Sequence, residues 1–173
     1  MHFGSAPRRL FVVFALLTAL FAASCGSEAQ SPRPFEPFNS AKAQSLPTSP
    51  LSIQSDGKSH AFTVELADTQ DERDIGLMHR DHLDADKGML FDLQRSQIER
   101  FWMRNTFIPL DMIFIRANGA IAFIAENTTP HSEQPVGPND LVRAVLEVPA
   151  GTAKRLGIKT GDLVRHVIFG NAP

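Results

Sequence analysis

A mainly β fold is what this sequence predicts: an antiparallel β-sandwich or barrel, jelly-roll-like, with two short helices. Three observations carry that expectation. His60 to Asp68, HAFTVELAD, alternates Phe62, Val64 and Leu66 against Ala61, Thr63, Glu65 and Ala67, the period of a half-buried strand. Asn118-Gly119 separates two apolar runs, which marks a tight hairpin. Repeated strand–helix–strand units, the mark of a parallel sheet, are not found in the chain.

The elements follow in order. After HAFTVELAD, Thr69 can cap a helix, with Glu72 three residues on to complete a capping box. A short helix is expected from about Gln70 to Leu77. Gly88 to Leu93, GMLFDL, reads as a strand. Arg100 to Ile115, RFWMRNTFIPLDMIFI, is apolar but interrupted by polar side chains. Pro109 lacks a backbone N–H and cannot lie inside a fully paired central strand. The run therefore breaks there, giving strands at about Arg100–Thr106 and Leu110–Ala117. Pairing outward from Asn118-Gly119 as a two-residue turn sets Phe114 opposite Phe123 and Ile113 opposite Ile124. Three prolines and a glycine make NTTPHSEQPVGPND, Asn127 to Asp140, a long loop, a length often tied to function. Leu141–Val148 is the next strand. Pro149-Ala150-Gly151 opens a short helix, TAKRL, closed by Gly157. Asp162–Phe169 is the last strand.

The N-terminal third reads differently. Arg8 and Arg9 precede an apolar segment, Leu10 to Ala23, too short for a comfortable membrane span and flanked as an export signal is. Residues 1–24 are therefore expected to be a signal peptide. Cys25, the only cysteine, cannot form an internal disulfide. Its position resembles the lipidated cysteine of bacterial lipoproteins, with plain cleavage as the alternative. Gly26 to Pro50 is rich in Ser, Pro, Gln and Ala. It reads as a disordered tether, whose roughly 25 residues span about 25–30 Å. Residues 51–173 remain for one β-rich domain. The expected location is the periplasmic face of a bacterial membrane, with Gly26 after the cysteine resembling outer-membrane sorting. A soluble periplasmic or secreted protein is the alternative.

Of the 17 Lys and Arg residues two lie in the signal, leaving 15 against 19 Asp and Glu. With no basic run, nucleic acid is not an expected partner.

The blocks GLMHR, GMLF, FWMRNTFIPLDMIFI and VLEVPAG, in this order, resemble the domain of unknown function 192 family over roughly His60 to Phe169. The resemblance implies a compact mainly-β fold related to jelly rolls, and often an exported protein. It implies no activity. Arg104 stands where lysine is common in that pattern.

Several groups are candidates for chemistry. Arg80, Trp102, Arg104, Asn105, Thr106, Asp111 and Glu147 form the candidate ligand-binding set. On the structural reading, Asn105 and Thr106 bond their own backbone and Arg80 pairs with Asp111 or Glu147. On the functional reading, Arg80 grips an anionic or carbonyl group beside the Trp102 indole. Met78, Met89, Met103 and Met112 offer soft thioethers, but core filling is the default for methionine. His79 and His82 with the carboxylates of HRDHLDAD read as a solvated loop rather than a zinc site. His131-Ser132 lacks the Gly-x-Ser-x-Gly elbow of a serine hydrolase. No catalytic residue, metal or cofactor is therefore assigned. The expected function is non-enzymatic binding of a small molecule or an envelope protein, on a domain held to the membrane through the Cys25 lipid. The alternatives are a hydrolase of envelope material using Asp111 or Glu147, and a structural accessory without a pocket.

Overall fold

The computed structural model describes Met1 and residues 43–172. The expected signal, Cys25 and tether residues 26–42 lie outside the described residues. The folded body starts earlier than Leu51. Strand β1 is Thr48–Ser55, and Thr48, Ser49 and Pro50 pair with Glu65, Val64 and Thr63. Still earlier, the Gln44 amide donates to the carbonyls of Glu72 and Gly76 at 2.8 and 2.9 Å, satisfying acceptors at the end of the first helix.

The remaining elements are β2 (Lys58–Ala67), α1 (Gln70–Ile75), β3 (Lys87–Gln97), β4 (Leu110–Ile115), β5 (Ile121–Thr128), β6 (Val142–Pro149), α2 (Thr152–Leu156) and β7 (Leu163–Arg165). The capping box at α1 is formed as expected: the Thr69 hydroxyl accepts from the Glu72 amide, and the Glu72 carboxylate accepts from the Thr69 amide.

The strands make one seven-stranded sheet in the order β5-β4-β6-β3-β2-β1-β7. It is mixed, because β2 and β3 run parallel and are joined across α1. This corrects the purely antiparallel expectation: TQDERDI is one strand–helix–strand crossover rather than a connection between antiparallel neighbours. Nor is there a second sheet to make a sandwich among the described residues. Instead the single sheet curls into a half-barrel until its edges meet. Ala120 bridges to Leu163, the Ile121 amide donates to the Asp162 carbonyl at 2.9 Å, and the Val164 amide donates to the Gly119 carbonyl at 2.8 Å.

Two cores result. Inside the curl lie Leu51, Ile53, Phe62, Leu90, Ile113, Leu146, Val164 and Ala153 of α2. On the other face, Leu77, Met89, Phe91, Met103, Met112, Phe114 and Val145 pack beneath loops and the end of α1. β4 and β6 are buried on both faces, the pattern of central strands.

The β4–β5 hairpin pairs Phe114 with Phe123 and Ile113 with Ile124, as its sequence predicts. Its turn differs. The Gly119 amide donates to the Arg116 carbonyl, Gly119 alone takes positive φ (+84°), and Arg116 faces Ala120. This is a three-residue turn with a bulge, and the irregularity between Ile115 and Phe114 restores the register.

Two other expected strands shorten. Between Arg100 and Thr106 only Phe101 pairs, with Val136, because the Met103 amide goes to the Ser132 carbonyl and the Thr106 amide turns back to the Met103 carbonyl. The last strand stops at Arg165, where the buried His166 ring accepts from the Ile168 amide and starts a 3-10 turn, Val167–Phe169.

Gly88 is a point of close approach. A Cβ there would stand 2.6 Å from the Glu147 carbonyl and 3.1 Å from the Val148 side chain. Gly88→Ala must separate β3 from β6 and is expected to cost about 1–3 kcal/mol, read as a lowered urea midpoint at unchanged slope.

Candidate functional site

Asp111 and Glu147 stand on adjacent central strands but on opposite faces of the sheet, since Met112, not Asp111, is the register partner of Glu147. They are not a pair. Asp111 is fully buried inside the curl. One oxygen accepts from the amides of Asn127 (2.9 Å) and Gly151 (3.1 Å), the other from Ala153 (2.9 Å). Gly151 and Ala153 begin α2, and Gly151 has no side chain to cap it. Asp111 is thus a cap delivered from a neighbouring strand, with its charge at the positive end of the helix. Three backbone amides therefore hold the carboxylate, which is closed off from solvent.

Glu147 occupies the opposite situation. It lies between Met89 of β3 and Met112 of β4, both fully buried, and makes no side-chain hydrogen bond among the described residues. Burial pushes its carboxyl up to about 8, so at neutral pH the folded protein holds it mainly as the neutral acid.

Arg80 reaches neither of them, contrary to the expected pairing. It makes a fork with Glu65 of β2, at 2.6 and 2.8 Å, and also donates to the Gln44 carbonyl at 2.6 Å. Glu65 accepts from the Leu46 amide as well. Burial opposes ionisation of Glu65, but the Arg80 guanidinium and the Leu46 amide hold its carboxyl below the usual range. Both terminal nitrogens of Arg80 are therefore committed, and the residue clamps the segment before β1 to the sheet.

Trp102, Arg104, Asn105 and Thr106 do come together, in the loop Ile98–Pro109. Trp102 is 46% exposed and the Arg104 guanidinium lies 4.8 Å from its ring centroid, a cation–π contact. Between them Met103 turns inward and is buried. Asn105 is left-handed (φ +55°) and its carbonyl accepts from the His79 amide at 2.9 Å. Thr106 is buried, and its carbonyl accepts from the His131 amide at 3.2 Å.

Three loops, His79–Asp86, Ile98–Pro109 and Thr129–Leu141, are thus laced together by backbone hydrogen bonds. His79, Asn105, Asn127 and His131 are all left-handed without being glycine, which stores strain that the lacing must hold. The exposed Phe107 ring lies between the two imidazoles, 5.7 Å from His79 and 5.3 Å from His131. Sequence reasoning missed His79, Phe107 and His131 as a group. They are separated along the chain, and no local pattern announces positive φ at a histidine.

Other candidates disperse. His82 faces Asp84 at 2.8 Å on an exposed loop, and among the described residues no three His, Cys, Asp or Glu side chains are grouped to hold a metal ion. The methionine sulfurs lie within the body: Met103 touches the Thr128 hydroxyl at 3.2 Å, whose proton goes to the Leu110 carbonyl at 2.9 Å, and the amides of Gln44 and Asn105 reach Met89 and Met78 at 3.9 and 4.0 Å. Ser49 and His166 touch at 2.8 Å, but His166 Nδ1 accepts from the Ile168 amide, so Nε2 carries the proton and donates to the serine. That tautomer cannot deprotonate Ser49. An open groove of about 410 Å³, lined by Ser59, His60, Phe62, Asp86, Arg155 and Leu156, contains none of the expected site residues.

A family model described as "Uncharacterized ACR", DUF192, matches residues 51–166. The chain belongs to the DUF192 family. Two solved structures resemble this DUF192 chain closely. One, from Sinorhizobium meliloti and described as a candidate transcription regulator, is 40% identical with a TM-score of 0.71. The match covers 73% of this chain and 99% of that one. The other, from Novosphingobium aromaticivorans and of unknown function, is 38% identical with a TM-score of 0.68, covering 73% of this chain and 96% of that one. No curated protein matches significantly.

Proposed function

We propose that this DUF192 domain is a binding module of the bacterial cell envelope and not an enzyme. Its recognition surface is the laced loop corner that displays Trp102 and Arg104. The observation that carries the reading is the half-exposed indole stacked by a guanidinium, on a loop whose left-handed residues are pinned from two sides. Strain held at a rigid display loop is a common mark of a site prepared for a ligand. Arg80, Asn105 and Thr106 serve it by position: each is spent on holding the loops. The envelope setting rests on the export signal and Cys25 read from the sequence. The acidic balance of the mature chain gives no support to nucleic-acid binding.

One observation favours a second reading, a hydrolase. Glu147 is a buried, unbonded carboxyl with a raised pKa, as a general acid would be. It has no partner carboxylate, because Asp111 is on the other face and Glu65 is engaged by Arg80.

With one tryptophan and no tyrosine, intrinsic emission reports on Trp102 alone. Acetate, phosphate and detergent-solubilised envelope extract are the probes. The binding reading expects a shifted or quenched emission from at least one, weakened about two- to fivefold in Arg104→Ala by loss of the cation–π contact. A silent wild-type Trp102 contradicts it. Turnover of an envelope substrate that Glu147→Gln abolishes establishes the second reading.

A further inference from the structure

The loop corner continues into a row of a different character. Along the segment leaving β3, Ile98, Arg100 and Trp102 are exposed, while Phe101 and Met103 turn into the body. Phe101 is locked in that parity by its two hydrogen bonds with Val136, at 2.9 and 2.8 Å. Leu141 stands beside Ile98, because Gln97 pairs with Val142. Ile98 and Leu141 are 58% and 57% exposed, well beyond what core packing leaves bare. Arg100 is linked to Asn139, and Arg104 covers the indole.

Of the acidic side chains around this row, Asp92 and Asp140 are paired with arginines, whereas Glu99 meets only neutral donors. Glu99 accepts from the Gln97 side chain and the Arg100 amide, Asp140 pairs with Arg116, and Asp92 pairs with Arg143. Two aliphatic side chains, an indole and the Arg100 and Arg104 side chains thus share one segment and its neighbour, with the Glu99 carboxylate among them.

That combination matches the boundary of a lipid bilayer. Indoles settle at headgroup depth, aliphatic side chains enter the acyl boundary, and guanidinium groups fork onto phosphate. We propose that Ile98, Arg100, Trp102, Arg104 and Leu141 dock the domain onto the headgroup layer of an anionic phospholipid membrane. This rests on the reading of the Trp102 corner as a recognition surface and names its partner. Charge complementarity selects the occupant: a hydrophobic protein partner has no need of the two arginines, whereas anionic headgroups attract both.

The test uses residues 38–173, one compact unit of the chain, and a solved structure 40% identical to this chain is matched over 99% of its own length. Vesicles of phosphatidylcholine, with and without phosphatidylglycerol, are sedimented with the protein, and Trp102 emission is recorded in parallel. The proposal expects co-sedimentation with the anionic vesicles only, a blue shift of Trp102, and release by high salt. Arg100→Gln lowers partitioning about fivefold. Ile98→Ser with Leu141→Ser lowers it further while thermal unfolding stays unchanged.

Co-sedimentation without a Trp102 shift, equal binding to phosphatidylcholine, or no binding overturns the proposal. A Trp102 response to soluble glycerophosphate but not to vesicles also overturns it, because the headgroup would then be read free of a membrane. A Trp102 response to envelope extract after removal of lipid, with vesicles inert, overturns the lipid partner and leaves the recognition surface standing.

Discussion

Glu147→Gln should make the protein more stable at pH 7, by about 3 kcal/mol. The reasoning runs through the proton. In the unfolded chain Glu147 ionises at its ordinary value, near 4.5, whereas in the folded protein burial between Met89 and Met112 raises that to about 8. Raising an acid's pKa on folding costs stability above the unfolded value. The penalty is absent below about pH 4.5, grows as pH rises, and is complete above about pH 8. Glutamine keeps the shape and carries no charge, so it escapes the penalty.

Urea melts of both proteins at pH 5, 7 and 9 should show a difference that widens with pH. At pH 7 it is worth about 10 °C in thermal midpoint for a domain of this size. His166 works the other way. Burial lowers its pKa, so the stability tied to its neutral form is lost as pH falls below about 6.5. Taking the difference between variant and wild type at each pH removes that contribution. A natural domain that carries a destabilising acid at its centre is expected to keep it for some use, which makes Glu147 the first residue to examine in any activity screen.

Asp111→Ala should do the reverse, destabilising by on the order of 4 kcal/mol. The substitution leaves the amides of Asn127, Gly151 and the buried Ala153 without their acceptor and removes the carboxylate from the start of α2. Because one carboxylate ties β4 to both the β5 end and α2, loss of helix order and loss of the hairpin should coincide. Hydrogen exchange at Asn127 and Ala153 reads both. Asp111→Asn should recover part of the loss, since its oxygen can still serve one of the two sets of donors. A carboxylate with a catalytic role would behave differently, lowering turnover at unchanged stability.

Much of the architecture was legible because it is written locally. Alternation gave β2, Thr69 and Glu72 gave the cap of α1, and Pro109 divided its strand run where the structure divides it. The Phe114–Phe123 register followed from Asn118-Gly119, although the bulge that delivers it did not. What could not be read is what depends on distant partners. The parallel pairing of β2 with β3 is a choice of neighbour, not of conformation. The start at Gln44 depends on carbonyls at Glu72 and Gly76 that only the folded α1 presents.

The site divides in the same way. Trp102, Arg104 and Asn105 were recognisable as polar interruptions of an apolar run, and they do share a loop. Arg80 was rightly expected to seek a carboxylate, but an arginine does not announce which one. Glu65 sits on a strand with nothing local to mark it. The left-handed histidines flanking Phe107 had no signal at all, because their conformation is imposed by the loops that grip them.

The proposed meeting point of this domain with its partner is the Trp102 corner. An amide shift map of residues 38–173, titrated with detergent-solubilised envelope extract, tests it most directly. The predicted result is perturbation of the Trp102 indole, of Ile98 to Phe107 and of Asn139 to Leu141. Perturbation confined to the groove of His60 and Arg155, with the indole unmoved, would contradict it.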